Sequence, residues 1–190
     1  TTMNMDRLVI KQVLGNEQVT WYYVVSLIGK TLVLLIAPIN TIVISYLTKR
    51  KELLTRSQFG KAVLAGGGVS LVFFLACQVG TPLFVWLFYR NLYDSVKGLV
   101  TVVNLAQILG LFSAFLFILV LTFTDEKWQL WIQLAHFAVL LVTSVLAARA
   151  YGMIGFAWAS LGANSLRVAA VIILGLVKAG KDKGGSNADM

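Results

Sequence analysis

Long, nearly unbroken apolar runs alternate with short polar breaks along this 190-residue chain. A bilayer core of about 30 Å takes about 20 consecutive apolar residues as helix. Five segments are long enough: 18–47, 61–89, 93–123, 127–148 and 153–178. Several exceed the minimum, which allows tilt or protrusion into the interface. A transmembrane barrel would instead show short strands with polar and apolar residues alternating. The pattern predicts an all-α integral membrane fold, a helical bundle of about five transmembrane helices over 1–178. A polar, Gly-rich and disordered tail is expected over 179–190.

The breaks carry sensible chemistry. "TKRKELLTRSQFGK" (48–61) is a charged connection, and "YRNLYDSVKG" (89–98) and "TDEKWQ" (124–129) separate later helices. "RAYGMIG" (149–155) joins the last two, with Gly152 suited to a helix stop. Pro38 and Pro82 fall inside helices, where each removes a backbone donor and favours a kink. "AGGGVS" (65–70) strips side chains from one patch and allows close helix packing or bending.

Composition sharpens the membrane reading. The chain is 58% hydrophobic and 13% charged, with a mean hydropathy of +0.83. A soluble domain of this size lacks the interior volume to hide so much apolar surface. The net charge of +8 would suggest nucleic acid in a soluble protein. Here the charges sit between apolar runs, so no nucleic-acid partner is expected and topology explains them. Cytoplasmic loops carry excess Lys and Arg. With 48–61 placed in the cytoplasm, that side receives nine basic residues: five in the run, Lys127, Lys178, Lys181 and Lys183. The other side receives five: Arg7, Lys11, Arg90, Lys97 and Arg149. The basic run and the C-terminus are therefore expected to be cytoplasmic. Docking of the run on anionic lipid is a further reading. "TTMNMDRLVIKQVLG" lacks the basic start and apolar core of a secretory signal, and the chain reads as a fragment of a longer protein.

Little points to catalysis. One His, the single Cys77 within an apolar run, and the lack of CxxC, P-loop or GxSxG motifs predict no enzyme, cofactor, metal or disulfide.

The informative residues are polar ones inside apolar runs. A charge at the bilayer centre costs about 2.5–3.5 kcal/mol on the insertion scale. Lys30 and Arg167 lie near the middles of their helices, with no acid in any helix core to neutralise them. At about 100° per residue, Ser26, Lys30, Thr41 and Ser45 form one stripe. Thr101, Asn104 and Gln107 form a second, Gln129, Gln133, His136 and Thr143 a third, and Ser160, Asn164 and Arg167 a fourth. Four polar stripes predict a common hydrated, cationic interior that suits an anionic cargo. The candidate binding residues are Lys30, Arg167, Asn164, Asn104, Gln107, Gln133 and His136. Two plainer readings stay open: the cations satisfy carbonyls at helix contacts, and His136 is an interhelical hydrogen-bonder rather than a group that titrates during transport.

Three stretches share a resemblance. "MDRLVIKQVLGNEQVTWYYVVSLIGK" resembles the opening of the second half of polysaccharide exporters, where an Asp at a helix end precedes a short segment and a long helix. "APINTIVISYLTKRKE" is similar to that family's following helix end and basic loop, and "YGMIGFAWASLGANSLR" to a late helix. Together they span about residues 5–170. The resemblance implies the multidrug/oligosaccharidyl-lipid/polysaccharide exporter superfamily, and within it the O-antigen and capsule type of lipid-linked oligosaccharide flippase. It implies two pseudo-symmetric six-helix bundles, this chain being most of the second. It further implies a bacterial inner membrane, alternating access, and partners in membrane lipid and the N-terminal half of the same transporter. The cargo would be an undecaprenyl-pyrophosphate-linked oligosaccharide, its anionic head handled by cavity charges. Three alternatives remain: a drug or metabolite antiporter of the same superfamily, a fragment of a membrane glycosyl-polymerase or acyltransferase, and a non-transporting assembly subunit.

Overall fold

A computed structural model describes residues 5–49, 55–121, 123–124 and 126–179, with the side chains of Met5, 33–49 and Glu126 left aside. The middle of the basic run (50–54), the side chains of Pro38, Thr41, Ser45 and Lys49, and the tail from 180 onward lie outside the described residues.

The described chain is helical. α1 (Met5–Leu14) is followed at once by α2 (Asn16–Lys49). Gly15 separates them with φ 94°, a left-handed value that side-chain-bearing residues avoid, and its N–H donates to the carbonyls of Ile10 and Lys11. The turn folds α1 back along α2, so that the Tyr22 hydroxyl reaches Asp6. α3 (Arg56–Phe88) starts at a capping box in which Thr55 and Gln58 satisfy each other's backbone N–H groups. A 3-10 turn (Arg90–Leu92) and the short α4 (Tyr93–Val96) lead into α5 (Val100–Leu121). The segment expected as one helix over 93–123 thus begins its long helix later, after a turn that includes Gly98.

α6 (Glu126–Lys178) is broken at Gly152, whose φ of 64° and ψ of −146° are non-helical. Its two limbs, 126–151 and 153–178, run alongside each other: His136 on the first lies 3.2 Å from Asn164 on the second. Three helices among the described residues are long and apolar enough to cross a membrane: Arg56–Phe88, Val100–Leu121 and Lys127–Lys178. The last has 52 residues, about 78 Å at helical rise, far beyond one bilayer thickness.

α5 is the spine. It packs against α2, α3 and α6, and most of its side chains are buried. One apolar cluster gathers Ile10, Tyr22, Val96, Val103 and Phe156 at the end holding the Gly15 and Gly152 turns. The other gathers Phe59, Phe117, Val120 and Val171 at the opposite end. α3 and α6 turn large apolar side chains outward: Leu64, Val72, Val79, Trp131 and Leu166 are all exposed. The Arg56 Nε donates to the carbonyl of Leu176 at 2.8 Å, and the Lys178 Nζ lies 5.8 Å from the Trp128 ring centroid. Arg56, Lys178 and the start of α6 therefore share one end of the bundle.

Candidate functional site

A cavity of about 400 Å³ lies between α1, α2, α5 and both limbs of α6. Six of the seven residues singled out in the sequence line it: Lys30, Gln107, Gln133, His136, Asn164 and Arg167. Ser160 joins them, with Phe137, Leu140 and Phe156 as apolar wall.

Asn104 does not line it. It is fully buried against α3, where its Nδ2 donates to the Cys77 carbonyl at 3.2 Å and shares a polar cluster with Gln78 and Thr81. Thr101 turns the same way and accepts from the Gln78 amide at 2.9 Å. Three residues advance an α-helix by about 300°, so Thr101 and Gln107 point about 120° apart. The stripe on α5 winds from α3 to the cavity rather than facing one neighbour. The α3 cluster sits one turn before Pro82, which cannot supply the helix bond to the Gln78 carbonyl. Thr143 also stays outside the cavity, its hydroxyl donating to the Val139 carbonyl of its own helix.

The interior is not free of carboxylate. Asp6 lines the cavity and accepts from the Lys30 ammonium at 3.2 Å and from the Tyr22 hydroxyl at 3.0 Å. The side chains of Lys30 and Asp6 are 16% and 19% exposed, so both charges are largely withdrawn from solvent. This corrects the expectation of a lining without acid. Asp6 precedes the first apolar run, and only the fold-back at Gly15 carries it inside. Asp6 and Tyr22 are the site residues that sequence reasoning missed. The helix stop at Gly15, following an Asp in the first turn of a ten-residue helix, is the signal that could have found them.

Asn164 ties three elements together. Its Nδ2 donates to the Ala106 carbonyl on α5 at 2.9 Å, which leaves Oδ1 to face His136 Nε2 at 3.2 Å. An acceptor there makes Nε2 the protonated nitrogen of the imidazole. Nδ1 is then the ring's remaining polar atom. His136 thus serves as an interhelical hydrogen-bonder while bordering the cavity.

Arg167 and Gln107 carry the unspent polar capacity. The Arg167 Cζ lies 5.0 Å from the Phe117 ring centroid, a cation–π contact, and its Nε is buried without a hydrogen-bond partner. Among the described residues no carboxylate pairs with it. Both amide atoms of Gln107 are buried and unpartnered as well. The Gln107 amide lies against α2 at Gly29, where an added Cβ would collide with its Oε1. A further cavity of about 550 Å³ is lined by Leu121, Lys127, Gln129, Leu130 and Gln133. Gln133 borders both spaces, so they adjoin toward the Lys127 end. The arrangement offers a ligand one cation without a carboxylate partner among the described residues, together with neutral amides. No group of three or more His, Cys, Asp or Glu among the described residues is placed to hold a metal.

No family model, no curated protein and no solved structure matches this chain.

Proposed function

We propose that this chain is a membrane-embedded bundle of about five crossings that forms one half of a carrier for an anionic lipid-linked oligosaccharide. The observation that carries the reading is Arg167: a guanidinium bordering an interior cavity, its Nε unpartnered, in a lining that also includes Gln107 with its unpartnered amide. Buried donors left unsatisfied cost free energy that an anionic oxygen would recover. The Asp6–Lys30 pair cancels within itself, so Arg167 leaves the cavity a net positive charge for a phosphate or pyrophosphate. The outward apolar faces of α3 and α6 suit lipid. Counting the two limbs of α6 separately, with α2, α3 and α5, yields five crossings. The exporter resemblance supplies the cargo, an undecaprenyl-pyrophosphate glycan, and the excess of Lys and Arg expected in cytoplasmic loops puts Arg56, Lys127 and Lys178 on the cytoplasmic side.

The test is binding of a short polyprenyl pyrophosphate to the purified protein in lipid nanodiscs, read by native mass spectrometry. Retention by the wild type that weakens at least about tenfold in Arg167→Gln, and not in Lys127→Gln, supports the reading. Equal retention by wild type and Arg167→Gln removes it.

Asp6 favours one second reading. A carboxylate inside the cavity is what a proton- or ion-coupled antiporter of organic solutes would use. Proton-dependent dye export that Asp6→Asn abolishes would move the assignment there.

A further inference from the structure

A separate cavity of about 460 Å³ opens at the end of the bundle away from Lys127. It forms where the Gly15 turn, the connection before α5 and the Gly152 break come together. Gln18 and Trp21 line it from one side of α2, three residues apart. Ser95 and Leu99 line it from the connection, and Tyr151 and Met153 from the break. None of its lining residues is charged.

Two polar atoms of its lining residues are unspent. The indole N–H of Trp21 and the amide Oε1 of Gln18 are each buried with no hydrogen-bond partner. One is a donor and the other an acceptor, and they sit on neighbouring positions of one helix face. A ligand serving both must accept from the one and donate to the other, which a hydroxyl-bearing ring does. The walls ask for an apolar face on the same ligand, since Trp21, Tyr151, Leu99 and Met153 present rings and hydrocarbon. The volume lies within the roughly 300–1,000 Å³ of small-molecule sites. Gly98 and Gly152 keep the rim low, because an added Cβ at either would meet nothing within 4 Å.

We infer that this cavity is a binding site for a neutral sugar ring, with its hydroxyls on Trp21 Nε1 and Gln18 Oε1 and its C–H face on the aromatic wall. An anion is disfavoured, since no cation lines the site. The ligand's identity as part of a carried glycan rests on the function proposed above, whereas the site itself does not. It lies apart from Arg167 and requires no charge.

The experiment uses the whole chain in lipid nanodiscs with ¹⁵N-labelled tryptophan indoles, the Trp21 resonance being assigned with Trp21→Phe. Methyl glycosides of glucose, galactose and N-acetylglucosamine are titrated to about 100 mM, with glycerol and sodium phosphate as comparators. At least one glycoside is expected to shift the Trp21 indole saturably, with half-saturation on the order of millimolar. Gln18→Leu keeps the reporter and should raise that value about tenfold. Arg167→Gln should leave it unchanged, so loss of pyrophosphate binding and loss of this site are read separately. The inference is overturned if no glycoside moves the resonance, if glycerol or phosphate moves it equally, or if Gln18→Leu binds as the wild type does.

Discussion

The Lys30 ammonium lies 3.2 Å from the Asp6 carboxylate, across the glycine turn that folds α1 onto α2. Both side chains are largely sequestered, so each charge depends on the other more than a surface pair would. Asp6→Asn or Lys30→Met alone should destabilise the protein by about 1–3 kcal/mol, below the full cost for a wholly buried pair. The double change Asp6→Asn/Lys30→Met should cost less than either single one. Thermal unfolding of the four proteins in one detergent closes the cycle, and additive losses would show that the pair is not coupled.

Gly152 holds φ 64° with ψ −146°, a region essentially reserved for glycine. Gly152→Ala should cost about 1–3 kcal/mol and splay the limbs of α6. Spin labels on exposed positions Leu134 and Leu166, one on each limb, would report the change as a longer or broader distance distribution. An unaltered distribution and melting temperature would dismiss the strain.

Asn104 is buried in the α3–α5 contact and not in the cavity. Asn104→Leu removes its amide bonds to Thr81, the Gln78 Oε1 and the Cys77 carbonyl, which should cost about 1–3 kcal/mol. Pyrophosphate binding per folded molecule should be unchanged. Selective loss of binding at full stability would return Asn104 to the ligand.

Gly175 lies against the fully buried ring of Phe59, and a Cβ there would collide with that ring. A rigid aromatic in a packed cluster has little room to yield, so Gly175→Ala should lower stability by about 1–3 kcal/mol. Gly162 faces open space within its helix. Gly162→Ala should be neutral or stabilising by about 0.5–1 kcal/mol through reduced chain entropy. Melting both variants side by side checks the ordering.

At the turn before α5, the Asp94 carboxylate accepts from Lys97 at 2.9 Å, and that hydrogen bond, with the charge attraction, raises the lysine's pKa. A raised cationic pKa stabilises the fold below the unfolded value and loses that contribution as pH climbs through the folded one. The dependence therefore falls in the alkaline range. An NMR titration of the Lys97 side chain should show an elevated midpoint that Asp94→Asn returns to the ordinary lysine value.

Helix placement was largely legible in the chain. Gly152 was legible as a stop because its freedom at positive φ is a property of the residue itself. Lys30, Gln107, Gln133, His136, Asn164 and Arg167 were legible as a group because polar side chains within apolar runs must seek one another or water. Asp6 was not, because it lies outside every apolar run and enters only when α1 folds back. Asn104 was misplaced for a related reason. The helical period states where a side chain points about its own axis, but not which neighbour occupies that direction.

The apolar lengths and the local conformational limits of Gly15 and Gly152 are written in the covalent chain, so they set the helices and where they break. The tertiary structure alone decided that Lys30 meets Asp6, that Asn104 serves α3, that Arg167 lies against Phe117, and that Gln18 and Trp21 border a separate cavity. Each of these is a meeting between segments distant along the chain, and packing chooses such partners by summing small contacts over the whole bundle.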